Sequence, residues 1–342
     1  MKSNAKGITS FIVMFLTMVV LCNCSDSDST LNVSELTTTP NETLGTLEAT
    51  SLPTVTQITV TNLPTEIVSP TATSLPPISL DTASSVMSNF LKTNGGCQIP
   101  CLFGLTPGWS EVADVDSLTN YFMENTMETD GITLGALTNE ESGSLYLIFQ
   151  QAGERVYPLV SYYYENAHVD MLTLGSEVSR LSDYQVIYDS PYGLDLLSYY
   201  LLSNMLTIYG VPSEVMIRPF PTDPNRPLDA YPFSTVLYYK EKGFLVEYIS
   251  LRQEQGEYFL GCQPTSYINL VSWFPQKRIS LLDAIKRFSG PGINENNVAG
   301  FKSIQDATML TITDFYDSFK AEEGLNCLKT PKDLWPEPVL NP

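Results

Sequence analysis

The apolar and polar residues of this chain fall into three textures. A mainly apolar run from Ile8 to Leu21 follows two lysines, Lys2 and Lys6. Residues 25–80 then show no sustained helical or strand period. From Asp81 onward, apolar residues recur at regular steps, and turn residues punctuate them. Steps of three and four predict a helix over Asp81–Asn94, with Val86, Phe90 and Leu91 on one face. They predict a second from Ser110, as cap, to about Asn125, carrying Val112, Val115, Leu118 and Phe122, with Trp109 just outside as a packing anchor. Period-two runs then predict strands over Leu145–Gln150, Val156–Glu165 and His168–Leu174, separated by Ala152-Gly153-Glu154 and Asn166-Ala167.

The same order of parts follows again. Ser190-Pro191 opens a helix whose buried face is Leu194, Leu197, Leu201, Met205 and Ile208, and Gly210 with Pro212 ends it. Strands are expected over Val215–Arg218, Thr235–Tyr239, Phe244–Leu251, Tyr258–Cys262 and Ile268–Trp273, with Gly243 supplying a left-handed position in the 240–243 hairpin. Ser280 and Asp283 form a capping box on a helix stopped by Gly290-Pro291, and Thr313–Glu322 forms the last helix. Many of these connections are too short for crossover helices, so the sheet should be antiparallel. The fold class expected is α+β: helices packed on one face of a mainly antiparallel sheet, as two helix-then-meander repeats.

The apolar run of fourteen residues is too short to span a bilayer, which needs about 20, and it has the length of a signal-peptide core. Residues 25–80 hold 28 Ser, Thr or Pro among 56 positions, with no aromatic residue and no Lys or Arg. Such a composition buries too little apolar surface to offset its ordering entropy, so it reads as a tether. As a coil it would span ~40–45 Å, and stretched as polyproline II roughly 170 Å. The organisation expected is a signal over 1–23, a tether over 24–80, a first α+β unit over 81–185 and a second, with C-terminal helices, over 186–342.

Without residues 1–23 the chain keeps 16 basic and 38 acidic residues, a formal charge of −22. No basic stripe is present beyond Lys277-Arg278 and Lys286-Arg287, so nucleic acid is not an expected partner. Four cysteines follow the tether: Cys97, Cys101, Cys262 and Cys327. An even number in an exported domain reads as two disulfides, for which three pairings exist. Local proximity favours Cys97–Cys101 with Cys262–Cys327, the second stapling the C-terminal tail to the sheet. A redox role for Cys97-x-x-x-Cys101 is the lesser alternative, because thiol oxidoreductases use Cys-x-x-Cys.

The segment Leu21-Cys22-Asn23-Cys24 resembles the bacterial lipoprotein signal, in which a Leu lies three residues before the lipidated Cys. The resemblance implies a lipid on Cys24, cleavage before it, and an extracytoplasmic body anchored to the membrane. It departs from that pattern at Asn23, where Gly, Ala or Ser is usual. Cys97-Gln-Ile-Pro-Cys101-Leu-Phe-Gly-Leu-Thr-Pro-Gly108-Trp109, with Tyr209-Gly-Val-Pro-Ser-Glu-Val215, resembles uncharacterised bacterial lipoproteins carrying a Thr/Pro tether, over roughly residues 85–338 and including Cys327 and Trp335-Pro336. No activity comes with that resemblance. The same Pro-Gly and Tyr-Gly-Val-Pro segments also look locally like SmpA-type small outer-membrane assembly lipoproteins, built of helices on a three-stranded antiparallel sheet.

Chemistry is sparse. His168 is the sole histidine, which excludes multi-His metal sites and leaves one candidate base; no phosphate-cradling or nucleophile-elbow motif occurs. No cofactor or metal is expected. Paired carboxylates drawn from Glu140-Glu141, Glu165, Asp170, Glu247 and Glu257 are the open catalytic route, that of a cell-surface carbohydrate-active hydrolase. Tyrosine clusters offer a binding face for an envelope glycan or protein, with Tyr162, Tyr164 and Tyr238 the candidates and Tyr163 pointing the opposite way. The expected function is a lipid-anchored binding or interaction module of unknown ligand, with the hydrolase as alternative.

Overall fold

Strict alternation of apolar residues over ten to thirteen positions buries one face of each long strand and leaves the other half exposed, as at Ser142–Gln151 and Glu154–Glu165. A computed structural model describes residues 80–126, 132–138, 142–220, 232–288, 300–321 and 326–335, all of them within one compact unit. The signal, Cys24, the tether up to residue 79, Glu140-Glu141, Gly290-Pro291 and Pro336 lie outside the described residues.

The strands are β1 (Ile132–Thr138), β2 (Ser142–Gln151), β3 (Glu154–Glu165), β4 (His168–Arg180), β5 (Glu214–Pro219), β6 (Pro232–Tyr239), β7 (Phe244–Gln255), β8 (Tyr258–Gln263), β9 (Tyr267–Trp273), β10 (Lys302–Ser303) and β11 (Asn326–Pro331). Their order is β1-β2-β3-β4-β9-β7-β6-β5-β10. The far end of β7 pairs with β8, and β8 with β11. Every described pairing is antiparallel. The stretches 81–185 and 186–342 therefore share one sheet, joined where Met171–Ser176 of β4 pairs with Ile268–Trp273 of β9.

Helices α1 (Leu80–Thr93), α2 (Val112–Thr126), α3 (Pro191–Leu196), α4 (Leu202–Tyr209), α6 (Ile304–Thr308) and α7 (Ile312–Lys320) contribute to a core with the inward residues of the sheet. Met87, Leu91, Val115, Phe122, Leu206 and Phe315 meet Leu147, Val160, Leu172, Val246 and Leu270 there. Helix α5 (Leu281–Phe288) packs elsewhere: Ala284 and Ile285 join Met171, Val236, Tyr238, Leu245, Val271 and Trp273 in a second cluster. Those strand residues alternate with the ones facing the first core, so α5 covers part of the sheet's other face. The coarse expectation, helices with a large antiparallel sheet, matches the structure.

Several local expectations need correction. The helix expected from Ser190 onward is two helices separated by a tight turn at Ser198–Tyr200, and Leu201 is extended, with ψ 148°. Ser190 does cap α3, accepting from the Gly193 amide at 2.9 Å. The break lets neighbouring tyrosines both reach the Cys97 loop: Tyr199 donates to the Cys97 carbonyl at 3.2 Å, and Tyr200 to Asn94 Oδ1 at 2.9 Å. Ile208, expected on the buried face, is 42% exposed. Ser110 does not cap α2. Its Oγ accepts from the Thr106 amide, and the Glu111 amide bonds Asp114 Oδ2 at 2.9 Å instead. The last helix starts earlier than expected, capped by Thr311 and Asp314 in a reciprocal box.

Both favoured disulfides are formed, Cys97–Cys101 and Cys262–Cys327. Cys262 and Cys327 stand directly opposite each other in the β8–β11 ladder, with Cα atoms 4.0 Å apart. The Cys97–Cys101 loop is held by Asn94, whose amide donates to the carbonyls of Cys97 and Cys101 at 2.9 and 2.8 Å. Tyr209 Oη accepts from the Ile99 amide at 2.7 Å and pairs with Tyr199 Oη at the same distance. A loop tied at this many points is a structural staple.

Candidate functional site

Beyond α5, the sheet's second face carries side chains of a different kind from the core. Ser144 and Tyr146 come from β2; Arg155, Tyr157, Leu159, Ser161 and Tyr163 from β3; Gly175 and Glu177 from β4. Tyr267 and Asn269 follow from β9, then Glu247 and Ile249 from β7, Ser234 from β6 and Arg218 from β5. They line up because register sets Gln150 opposite Arg155, Leu159 opposite Gly175, Gly175 opposite Asn269, Asn269 opposite Glu247, and Arg218 opposite Ser234. Most are half-buried, so the face is shallow.

Aromatic rings shape one end. A Cβ on Gly135 would fall 1.9 Å from Cζ and Oη of Tyr146, so the Tyr146 ring lies across that glycine on the neighbouring strand. Its centroid is 6.0 Å from that of Tyr157, with the planes 29° apart. Further along, Tyr188 stacks on Tyr267 at 6.3 Å and 21°. The loop bearing Tyr188 is fixed by Ser266, whose amide and hydroxyl both donate to the Tyr188 carbonyl. Burial, with Glu177 and Glu247 nearby, pushes the Tyr267 hydroxyl up to about 12, so it stays a neutral donor.

The two carboxylates of this face are engaged. Burial raises the Glu177 carboxyl above the ordinary range, and the Arg155 guanidinium opposes it. Burial also raises Glu247, which is 5% exposed, against the hydrogen bonds it accepts. Ser234 Oγ donates to Glu247 Oε1, and Asn269 Nδ2 to Oε2 at 3.1 Å. Arg218 is lowered by burial, with Glu247 opposing; its guanidinium lies over the Phe220 ring at 4.6 Å. Strand β9 stands between the two acids; Gly175 and Glu247 both face Asn269, and Glu177 lies two residues beyond Gly175, putting the two acids' backbones about 12 Å apart. Each acid thus has a polar or cationic neighbour built into the sheet, and together they do not form a facing pair around an open cleft.

The tyrosines singled out from the sequence sit elsewhere. Tyr162 and Tyr238 are each 2% exposed. Tyr162 belongs to the helix-side core, where Tyr164 packs against it, and Tyr238 lies in the cluster under α5, donating to the Ile279 carbonyl. They are packing residues, because their parity in the strand turns them toward covered faces. Tyr163, of opposite parity, is 37% exposed. Glu165 and Asp170 both pair with Lys277, the first at 2.5 Å. Glu257 is exposed, and its carbonyl accepts from the Lys332 amide. His168 is exposed at the start of β4. Among the described residues no group of three or more His, Cys, Asp or Glu is arranged to hold a metal ion, and no helix is long and apolar enough to cross a membrane. Glu177, Tyr188 and Tyr267 were not singled out beforehand; alternation within each strand placed them on a face, but nothing local paired β4 with a strand 90 residues further on.

Fold and face together define an α+β protein whose large antiparallel sheet is helix-covered on one side and carries a polar, tyrosine-rich band on the other. Comparison with protein-family models, with curated proteins and with solved structures finds no match for this chain.

Proposed function

We propose that this protein is an exported, lipid-anchored binding module that meets its ligand on the band running from Tyr146 to Asn269. The observation that carries the reading is the contrast on that band between aromatic rings laid along the sheet and acids already engaged, Glu177 in the field of Arg155 and Glu247 hydrogen-bonded by Ser234 and Asn269. Rings of this kind stack on flat, weakly polar surfaces, and flanking hydroxyl and amide groups select hydrogen-bonding partners. An envelope glycan combines both chemistries. Cys24 as lipid site and residues 24–80 as tether rest on the leader, the composition and the disulfides, which belong to oxidising compartments.

The strand order β1-β2-β3-β4 followed by β9-β7-β6-β5 reads alike from either edge, with α1 and α2 preceding the first set and α3 and α4 the second. This supports two helix-then-meander repeats joined by their last strands. The paired-acid hydrolase has one observation in its favour, the raised carboxyl groups of Glu177 and Glu247 on a single face. Against it stand the hydrogen bonds that occupy both Glu247 oxygens.

The test is capture on a glycan array by the full-length chain purified from membranes, alongside a Tyr146→Ala chain. Retention of an uncleaved glycan, lost in a Tyr146→Ala chain that still unfolds cooperatively, is the expected result. Cleavage of the captured glycan would move the assignment to the hydrolase. Capture of an envelope protein alone, indifferent to Tyr146, would remove the band from the reading.

A further inference from the structure

Four glycines stand inside strands among the described residues, and three of them are explained by a ring. Tyr146 lies across Gly135, Tyr162 across Gly143 and Phe233 across Gly261, so a side chain at any of these would strike an aromatic neighbour. Gly175, midway along β4, has no such cause. Its φ is not positive, and a Cβ built on it would meet only Asn269 Oδ1, at an ordinary 3.5 Å. A glycine in a strand interior gives up packing and entropy. Where neither the backbone nor a neighbouring ring requires it, it marks a place where something else approaches the strand. Gly175 faces the polar band between Leu159 of β3 and Asn269 of β9, and leaves a depression there.

Two residues along β4, Glu177 stands opposite Tyr157 of β3 and, one step past the Ser176–Ile268 pair, opposite Tyr267 of β9. It is half-buried, it accepts no hydrogen bond from a described residue, and neither of its carboxyl oxygens is closed off from solvent. Arg155 supplies it with a field but no hydrogen bond. On one side lie Tyr157 and Tyr146, on the other Tyr267 and Tyr188. The backbones of β3 and β9 are two strand spacings apart, about 10 Å. A flat chain of β-1,4-linked pyranoses advances by close to one strand spacing per sugar. Laid across the strands, it brings sugars to both tyrosine pairs and to the gap between them.

We infer that Gly175 and Glu177 form the central subsite for a neutral, linear β-1,4-linked glycan crossing β3, β4 and β9. A middle sugar sits over Gly175 with its hydroxyls donating to Glu177, and the outer sugars rest on the two tyrosine pairs. The assignment rests on the sheet-face reading and names the class of glycan within it. Neutrality follows from charge: an accessible acid lies at the centre, and the chain without residues 1–23 carries −22, so an acidic polysaccharide is repelled. Linearity follows from the shallow, flat floor, which an α-linked chain curls away from. Two sources carry this chemistry, a plain glucan and an N-acetylated glycan strand, and two probes separate them: cellotetraose and chitotetraose.

Calorimetric titration of the full-length chain should show one tetraose binding about tenfold more tightly, or better, than its disaccharide, which covers a single tyrosine pair. Gly175→Ala should melt at the parent temperature or higher, because its methyl makes no more than an ordinary contact, and should weaken tetraose binding in part. Gly175→Val, which fills the depression, and Glu177→Ala should each weaken it about tenfold or more. Maltotetraose, α-linked, and tetramannuronate, β-linked but acidic, should not bind. Equal affinity for disaccharide and tetraose, binding undiminished by both glycine variants, binding of tetramannuronate, or a lower melting temperature in Gly175→Ala would each overturn the assignment. Failure of both tetraoses overturns it as well. If the glycan array still retains a glycan that depends on Tyr146, the sheet-face reading survives that failure; if the array is empty, the two fall together.

Discussion

The two faces of the sheet are built from the same strands and obey opposite rules. On the helix-covered face, most alternate residues are apolar and nearly all are inaccessible, from Leu145 in β2 through Leu172 in β4 to Val246 in β7. On the other, beyond the apolar patch under α5, the alternate positions of the same strands carry serine, tyrosine, arginine and glutamate. The covered face fixes register, because a one-residue slip would exchange the two sets wholesale. Register in turn places the residues of the second face, which are apolar and buried under α5, as at Met171, Leu245, Val271 and Trp273, and polar beyond it.

Adjacent tyrosines in β3 put this contrast to its sharpest test. Tyr162→Ala removes a buried ring and should cost about 3–5 kcal/mol, while Tyr163→Ala, on the exposed side, should stay within about 0.5 kcal/mol in urea unfolding. Comparable losses would show that the band beyond α5 also holds the fold. Next in size, replacing Cys262 and Cys327 together by Ser opens a loop spanning 65 residues and should cost about 4 kcal/mol in the chain-entropy account, read as a lower urea midpoint. A negligible shift would mean that the β8–β11 ladder holds without its bridge.

The smallest effect is a pH dependence. Burial raises Glu247 above its ordinary value of 4.5, so the folded chain holds that proton longer than the unfolded chain does. The associated stability is present below about pH 4.5 and is lost as pH rises through the folded value. Melting temperature should therefore fall across this window, and Glu247→Gln should flatten the decline, leaving the part due to Glu177, which shifts the same way. Parallel curves for parent and variant would sink the buried-acid account.

Most long strands were legible because their alternation is local and strong, as in Leu145–Gln150 and Val156–Glu165. Strand β1 was not. Its sequence Ile-Thr-Leu-Gly-Ala-Leu-Thr contains Gly135, a poor strand former that belongs there because Tyr146 of the next strand lies across it. That reason is a cross-strand contact, invisible within seven residues. Helix α6 has five residues, too few to show a period. The break between α3 and α4 follows from two tyrosines reaching a loop about 100 residues earlier, again a non-local cause. The candidate face was half legible for the same reason: strand parity separates Tyr163 from Tyr162, and Glu247 interrupts an apolar run, but only the β4–β9 pairing brings Glu177 and Tyr267 together.

That pairing gives the Cys262–Cys327 bridge a wider reach than the ladder it crosses. Residues 262–327 form a covalent macrocycle, and β9, the strand welding one meander to the other, is threaded into its rim. Thiol reduction would therefore release the seam strand of the sheet, as well as its tail, from one covalent ring.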